Sequence, residues 1–90
     1  MALEYVIYIL RCADGSLYTD ITTDLERRVT VHNSGKGAKY TRSCLPVEPV
    51  WWERVPDKPT ALRREFEIKK LSREGKLQLV ASKQLVDTEE

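Results

Sequence analysis

The sequence predicts a small α/β (α+β) fold, a three-stranded antiparallel sheet flanked by about three helices. Three observations lead there. Two short runs rich in β-branched and aromatic residues, Tyr5–Leu10 and Leu17–Ile21, flank Asp14-Gly15 and read as a hairpin. A third such run spans Val47–Val55. Helical patterns follow Thr23, Pro59 and Ser72. Ninety residues make a single domain, 1–90. A chain of this size buries only about 60–65% of the surface its unfolded form exposes, which leaves room for one modest core.

Composition sets the bounds. Fifteen basic and 14 acidic residues leave a net charge of +1, which argues against a protein that coats nucleic acid by bulk charge. The charges are unevenly spread. Between Arg27 and Val47 stand Arg27, Arg28, Lys36, Lys39 and Arg42 with no acid, while acids gather over Glu48–Asp57 and at Asp87, Glu89 and Glu90. This local positive segment reads either as a nucleic-acid contact or as a solvated loop. No apolar run approaches the roughly 20 residues needed to span a bilayer, and no signal-type segment opens the chain. A cytoplasmic protein without a membrane role is expected. The two cysteines, Cys12 and Cys44, follow no zinc spacing and are expected as reduced structural thiols.

The hairpin register decides whether its tyrosines share a face. A two-residue loop, Asp14-Gly15, puts Tyr8 and Tyr18 on opposite faces. A three-residue loop, Ala13-Asp14-Gly15, with Gly15 left-handed, pairs Cys12 with Ser16, Leu10 with Tyr18 and Tyr8 with Asp20. The three-residue loop is favoured, because Gly after Asp suits its left-handed position. Tyr8 and Tyr18 then become diagonal neighbours with backbones roughly 7–8 Å apart. Ordinary core packing of Tyr5, Tyr8 and Tyr18 is the competing explanation.

Thr23-Asp24-Leu25-Glu26 has the form of a capping box and opens a helix on which Leu25, Val29 and His32 follow helical spacing until Gly35. Arg28 and His32 interrupt the inward stripe, so each needs a polar partner. Ser34–Ser43 reads as a loop with room for one helical turn. There Lys36, Lys39 and Arg42 suit phosphate contacts, and Tyr40 suits stacking on a base. In the third strand Trp51 and Trp52 point to opposite faces, and Pro49 argues for an edge position or a bulge. One tryptophan belongs in the core, and the other is either a binding aromatic or half-buried under a helix. The next helix is placed over Pro59–Leu71, with Ala61, Leu62, Phe66 and Ile68 as its apolar arc. Glu65 falls inside that arc. A carboxylate there requires a cation, a donor or a metal, and Arg64, Lys69 or Lys70 is available for a structural ion pair. Ser72 caps a last helix, about Arg73–Gln84, with Leu77, Val80 and Ala81 inward and a frayed acidic end.

Taken together, these residues resemble the GIY-YIG nuclease superfamily. Val6-Ile7-Tyr8 matches its first motif and Tyr18-Thr19-Asp20 its second, and Arg28 stands where the family has its arginine. His32 stands at the family's histidine or tyrosine, and Glu65, in Ala61-Leu62-Arg63-Arg64-Glu65, at its metal-binding glutamate. The small stand-alone bacterial YhbQ-like (UPF0213) group is similar over nearly the whole chain, including the segments 35–42 and 67–72. The resemblance implies metal-dependent hydrolysis of a nucleic-acid phosphodiester. Catalytic residues would be Tyr8, Tyr18, Arg28, His32 and Glu65, with one Mg²⁺ or Mn²⁺ on Glu65. Lys36, Lys39, Tyr40, Arg42 and Lys69 would contact nucleic acid, DNA being favoured over RNA and structurally altered or damaged DNA over intact duplex. Tyr8, alone or with His32, would deprotonate water, provided that Arg28 lowers its pKa from about 10. A single site would have to act twice or as a homodimer to cut both strands, and a protein partner could supply specificity.

Two positions depart from the family pattern. Asp20 replaces the second motif's glycine, opposite Tyr8, where a carboxylate would repel an incoming phosphate by about 1–4 kcal/mol at about 4 Å. Asp20 could equally pair with Arg28 or join the metal ligands. Leu77 stands where several members have an asparagine. The alternative expectation is therefore a catalytically weak or inactive nucleic-acid-binding module. A protein-interaction domain using Trp51 or Trp52 is a third.

Overall fold

A computed structural model describes residues 4–89, with the side chains of residues 39, 40 and 83–89 outside the description. In chain order the elements are β1 (Tyr5–Cys12), β2 (Leu17–Thr22), α1 (Leu25–Val31), a π-helical turn (His32–Lys36), α2 (Lys39–Arg42), β3 (Val47–Val55), α3 (Lys58–Lys69) and α4 (Arg73–Glu89). The strands form one antiparallel sheet in the order β2-β1-β3. Among the described residues, no helix is long and apolar enough to cross a membrane.

The hairpin closes through the three-residue loop. Gly15 adopts φ 88°, its amide donates to the Cys12 carbonyl at 2.9 Å, and the Cys12 amide donates to the Ser16 carbonyl at 2.9 Å. Asp14 braces the turn by accepting from the Ser16 amide and hydroxyl. Tyr8 therefore pairs with Asp20, and Leu10 with Tyr18. Across the other edge of β1, Ile9 pairs with Trp51 and Leu10 with Pro49, so Val50 is the extra residue of a bulge. Pro49 thus lies both on an edge strand and at a bulge, where its missing N–H costs no ladder bond.

As the central strand, β1 is covered on both faces. This accounts for the unbroken buried run Val6–Leu10 in place of alternation. On one face Ile7, Ile9, Trp51 and Val55 pack with Ala61, Ile68 and Val80 from α3 and α4. On the other, Tyr8, Leu10, Cys12 and Val47 pack with Leu25 and Val29 of α1, with Tyr18 and Trp52 alongside. Trp51 is thus core, and Trp52 is half-buried beneath α1. Asn33 ties the π-helical turn to β3, its side chain bonding the Val47 carbonyl and amide at 3.1 and 2.7 Å.

Several boundaries and faces differ from the sequence expectation. The cap of α1 is Asp24, not Thr23: Asp24 is extended and its carboxylate accepts from the Arg27 amide at 3.1 Å, whereas Thr23 is exposed. Asp57 caps α3 through the Thr60 amide, and the helix ends at Lys69. Its inward stripe runs through Ala61, Arg64, Glu65 and Ile68. Leu62 and Phe66 fall to one side and are 46% and 62% exposed, with the Lys70 ammonium 4.7 Å from the Phe66 ring. Ser72 caps α4 as expected, but the helix continues to Glu89. It rests on the sheet through Leu79 and Val80, which leaves Leu77 and Ala81 exposed.

Candidate active site

The hairpin register and the inward face of α1 bring three polar side chains to one place. Tyr8 points from the central strand toward α1 and is fully buried. Its hydroxyl accepts from Arg28 Nε at 3.4 Å and lies 3.4 Å from His32 Nε2. Starting α1 at Asp24 sets Arg28 one turn in and His32 two turns in, so both reach the same tyrosine. His32 itself opens the π-helical turn, its amide bonding the Arg28 and Val29 carbonyls. Gly35, at φ 84°, kinks the chain within the turn.

Tyr18 joins from β2. Its ring meets His32 edge-on at 5.5 Å, and Tyr8 meets the same imidazole edge-on at 6.5 Å. The Tyr18 hydroxyl donates to Asp20 Oδ2 at 2.9 Å, while Asp20 Oδ1 accepts from the Ile21 amide at 2.8 Å. The same Oδ2 lies 3.8 Å from Arg28 Nη2. Of the two alternatives for Asp20 that left phosphate repulsion aside, pairing with Arg28 is the one observed. The carboxylate is occupied by a hydroxyl, an amide and a guanidinium.

Glu65 arrives from α3, which packs on β2 and β1. Its side chain is only 15% exposed and pairs with Lys69 Nζ at 3.1 Å. Arg64 turns away to Glu53 and Glu67 and stacks over Trp51, and Lys70 lies against Phe66. Lys69 therefore faces the carboxylate, a different setting from a free phosphate contact. Lys36 and Arg42 are exposed. The Lys39 and Tyr40 side chains lie outside the described residues.

The electrostatics correct one expectation. Burial first, and then the charges of Asp20 and Glu65, push the Tyr8 phenol up to about 12 in spite of Arg28. Tyr18 is raised as well, by burial and by its hydrogen bond to Asp20. Burial and then Arg28 hold His32 below its ordinary value, so the ring is neutral near pH 7. Arg28 thus does not make Tyr8 acidic by itself. The neutral His32 imidazole stands beside it, with Nε2 3.4 Å from the phenol oxygen.

Two features escaped the sequence. Thr41, in the polar loop, is fully buried with Oγ1 2.8 Å from His32 Nδ1. Gly37 passes so close to His32 that a Cβ there would lie 2.3 Å from Nδ1. Both contacts join residues too far apart in sequence for periodicity to reveal. The fold also gathers Cys12, Cys44 and Asp14, with ligand atoms within 4.8 Å of one another; the two cysteines are not joined in a disulfide, and Cys12 is pushed up to about 11 by burial and by Cys44 beside it.

Glu65 fits a hard divalent ion. It is an oxygen donor, largely sheltered, close enough to Tyr8 to affect its ionisation, and a site with one protein carboxylate suits an ion that keeps its waters.

Comparison with known proteins places this arrangement. The GIY-YIG catalytic domain matches residues 4–78. The UPF0213 protein of Natronomonas pharaonis is 54% identical over 81 residues, covering 90% of this chain and 95% of its own. That of Staphylococcus haemolyticus is 51% identical over 89% of this chain and 96% of its own. The solution NMR structure of the UPF0213 protein from Bacillus halodurans is similar with a TM-score of 0.59 at 51% identity, covering 89% of this chain and 85% of that one. The solution NMR structure of an E. faecalis protein gives 0.63 at 40% identity, covering 94% and 93%.

Proposed function

The chain belongs to the GIY-YIG family, in its UPF0213 group, and from that premise we propose that it is a metal-dependent endonuclease hydrolysing phosphodiester bonds in DNA. Family membership implies a nuclease fold that binds nucleic acid and, in general, dependence on a divalent metal. The observation carrying the specific reading is the contact of the Tyr8 hydroxyl with both Arg28 and His32 at 3.4 Å, with Glu65 near enough to influence it.

The residues divide the work as follows. Glu65 would hold Mg²⁺ or Mn²⁺, and the bound ion would supply Lewis-acid stabilisation of the developing charge. Tyr8 orients the attacking water and takes its proton while His32 takes the Tyr8 proton, so no free tyrosinate has to form in the buried site. Arg28 faces the transition-state phosphate with a charge that does not titrate. Tyr18, held by Asp20, fixes the edge of the site. Lys36 and Arg42 guide the backbone, and specificity for single-stranded, nicked or branched DNA comes from shape, because base-reading elements are not evident among the described residues.

Asp20 favours a second feature of this reading, an attenuated rate. Its carboxylate sits beside Arg28 and opposes both an incoming phosphate and the ionisation of Tyr8. The test is cleavage of end-labelled single-stranded, nicked and branched DNA, with an RNA counterpart, in Mg²⁺ or Mn²⁺. Metal-dependent cutting of DNA supports the proposal. Binding that weakens with salt but never cuts, in the parent and in Asp20→Gly alike, replaces it with an inactive binding module.

A further inference from the structure

His32 is the only histidine in the chain, and its fully buried ring is held at both nitrogens. Thr41 Oγ1 lies 2.8 Å from Nδ1 and also 2.9 Å from the Ala38 carbonyl oxygen. The Ala38 carbonyl, which also accepts from the Thr41 and Arg42 amides at 3.1 and 3.2 Å, takes the Thr41 hydroxyl hydrogen in the observed geometry. In that arrangement a lone pair of Thr41 Oγ1 faces Nδ1, and the ring hydrogen sits on Nδ1. Nε2 is left as the acceptor, and it is the atom that faces the Tyr8 hydroxyl at 3.4 Å. At the far end a guanidinium only donates, so Arg28 Nε gives to Tyr8 and frees the phenol hydrogen for Nε2.

These bonds run in one direction, from Arg28 to Tyr8, His32, Thr41 and the Ala38 carbonyl. We propose that Thr41 is a positioning residue that holds His32 in its Nδ1-protonated tautomer, so that Nε2 can receive the Tyr8 proton. The opposite tautomer would require the Thr41 hydroxyl to turn its hydrogen to Nδ1 and give up its bond to the Ala38 carbonyl. Gly37 makes room for the seat: a Cβ there would fall 2.3 Å from Nδ1, so any side chain at this position would displace the ring.

The catalytic part of this inference rests on the proposed nuclease reading; the tautomer does not. In the reaction, the O–H bond of the attacking water breaks and its proton goes to the Tyr8 oxygen. The original Tyr8 proton passes to Nε2, leaving neutral tyrosine and an imidazolium protonated on both nitrogens. The other ring hydrogen stays on Nδ1, donated to Thr41, and the resulting hydroxide forms a new bond to phosphorus as the ester P–O bond breaks; the leaving oxygen takes a proton from solvent, and the imidazolium later returns its own to solvent.

Long-range ¹H–¹⁵N correlation of the single imidazole, at mildly alkaline pH without metal, reads the tautomer directly. The parent and Thr41→Ser should show a pyrrole-type Nδ1 and a pyridine-type Nε2. Thr41→Val, which offers no acceptor, should shift the ring toward the Nε2-protonated form. Cleavage by Thr41→Val should fall by at least about tenfold, in kcat more than KM, and be restored in Thr41→Ser. A parent imidazole protonated on Nε2 overturns the inference even if Thr41→Val does not fold, and it leaves the nuclease reading intact. The predicted tautomers in a parent that never cuts uphold the Thr41 assignment and remove the nuclease reading instead. Unaltered tautomer or full activity in folded Thr41→Val overturns the role of Thr41.

Discussion

Removing the charge of Asp20 should speed cleavage. Asp20 Oδ2 lies 3.8 Å from Arg28 Nη2, a separation at which two unit charges interact by about 1 kcal/mol in water and about 4 kcal/mol near a protein surface. The two side chains are 25% and 36% exposed, which places the coupling toward the lower end. Losing the carboxylate frees Arg28 for the transition state and removes a repulsion from the incoming phosphate. Both changes act in the same direction, and about 1.4 kcal/mol corresponds to about tenfold in rate. Asp20→Asn is the cleaner variant, because its side-chain oxygen can still accept from Tyr18 or Ile21. Asp20→Gly should also be faster, at a cost of roughly 0.5–1 kcal/mol in strand stability. Initial rates on a branched or single-stranded substrate at fixed Mg²⁺ should rise about tenfold or more in kcat/KM for Asp20→Asn, with a smaller gain as added salt screens the charges. A folded Asp20→Asn that cuts no faster than the parent refutes the reasoning.

Three further outcomes follow from the same contacts. Because burial holds His32 below its ordinary value of 6.5, the unfolded chain binds that proton first on acidification. Stability should therefore fall as pH drops below about 6.5, and the fall, followed by urea midpoints, should flatten in His32→Phe. Tyr8 is raised from 10.0 to about 12, so the folded state keeps a proton that the unfolded chain loses. Stability should decline as pH climbs from 10 through 12, and Tyr8→Phe should remove one late-titrating component from the tyrosinate absorbance. Gly37→Ala should cost about 1–3 kcal/mol in urea unfolding, since the new methyl would lie 2.3 Å from His32 Nδ1 and 2.8 Å from its Cα.

Much of the site was readable before the structure, because two simple periods placed it. Asp14-Gly15 set the loop length, and a period of two then put Tyr8 and Tyr18 on one face. A period near 3.6 carried Arg28 and His32 inward from Leu25, and Glu65 inward with Ala61 and Ile68. Contacts between distant segments were hidden from such periods. Thr41 sits in a Gly- and Lys-rich loop whose composition says exposed, yet its partner is nine residues back across the π-helical turn. Leu62 and Phe66 widen the apolar arc of α3 on a wheel, but only the stripe over the strands is buried. At the start of α1, Thr23 and Asp24 were both competent caps; the carboxylate wins by reaching the Arg27 amide. The ionisation of Tyr8 was open for a related reason, since the charge of Arg28 was visible in sequence and the depth of burial that outweighs it was not.

The most direct test of the nuclease assignment is cleavage by Glu65→Ala measured beside the parent and Lys69→Ala over a Mg²⁺ titration. Glu65 pairs with Lys69 at 3.1 Å, so the two variants separate loss of the carboxylate from loss of its ion pair. The account predicts metal-dependent cutting by the parent and by Lys69→Ala, and a loss of at least about a hundredfold in a folded Glu65→Ala. Parent-level cleavage by Glu65→Ala would contradict it.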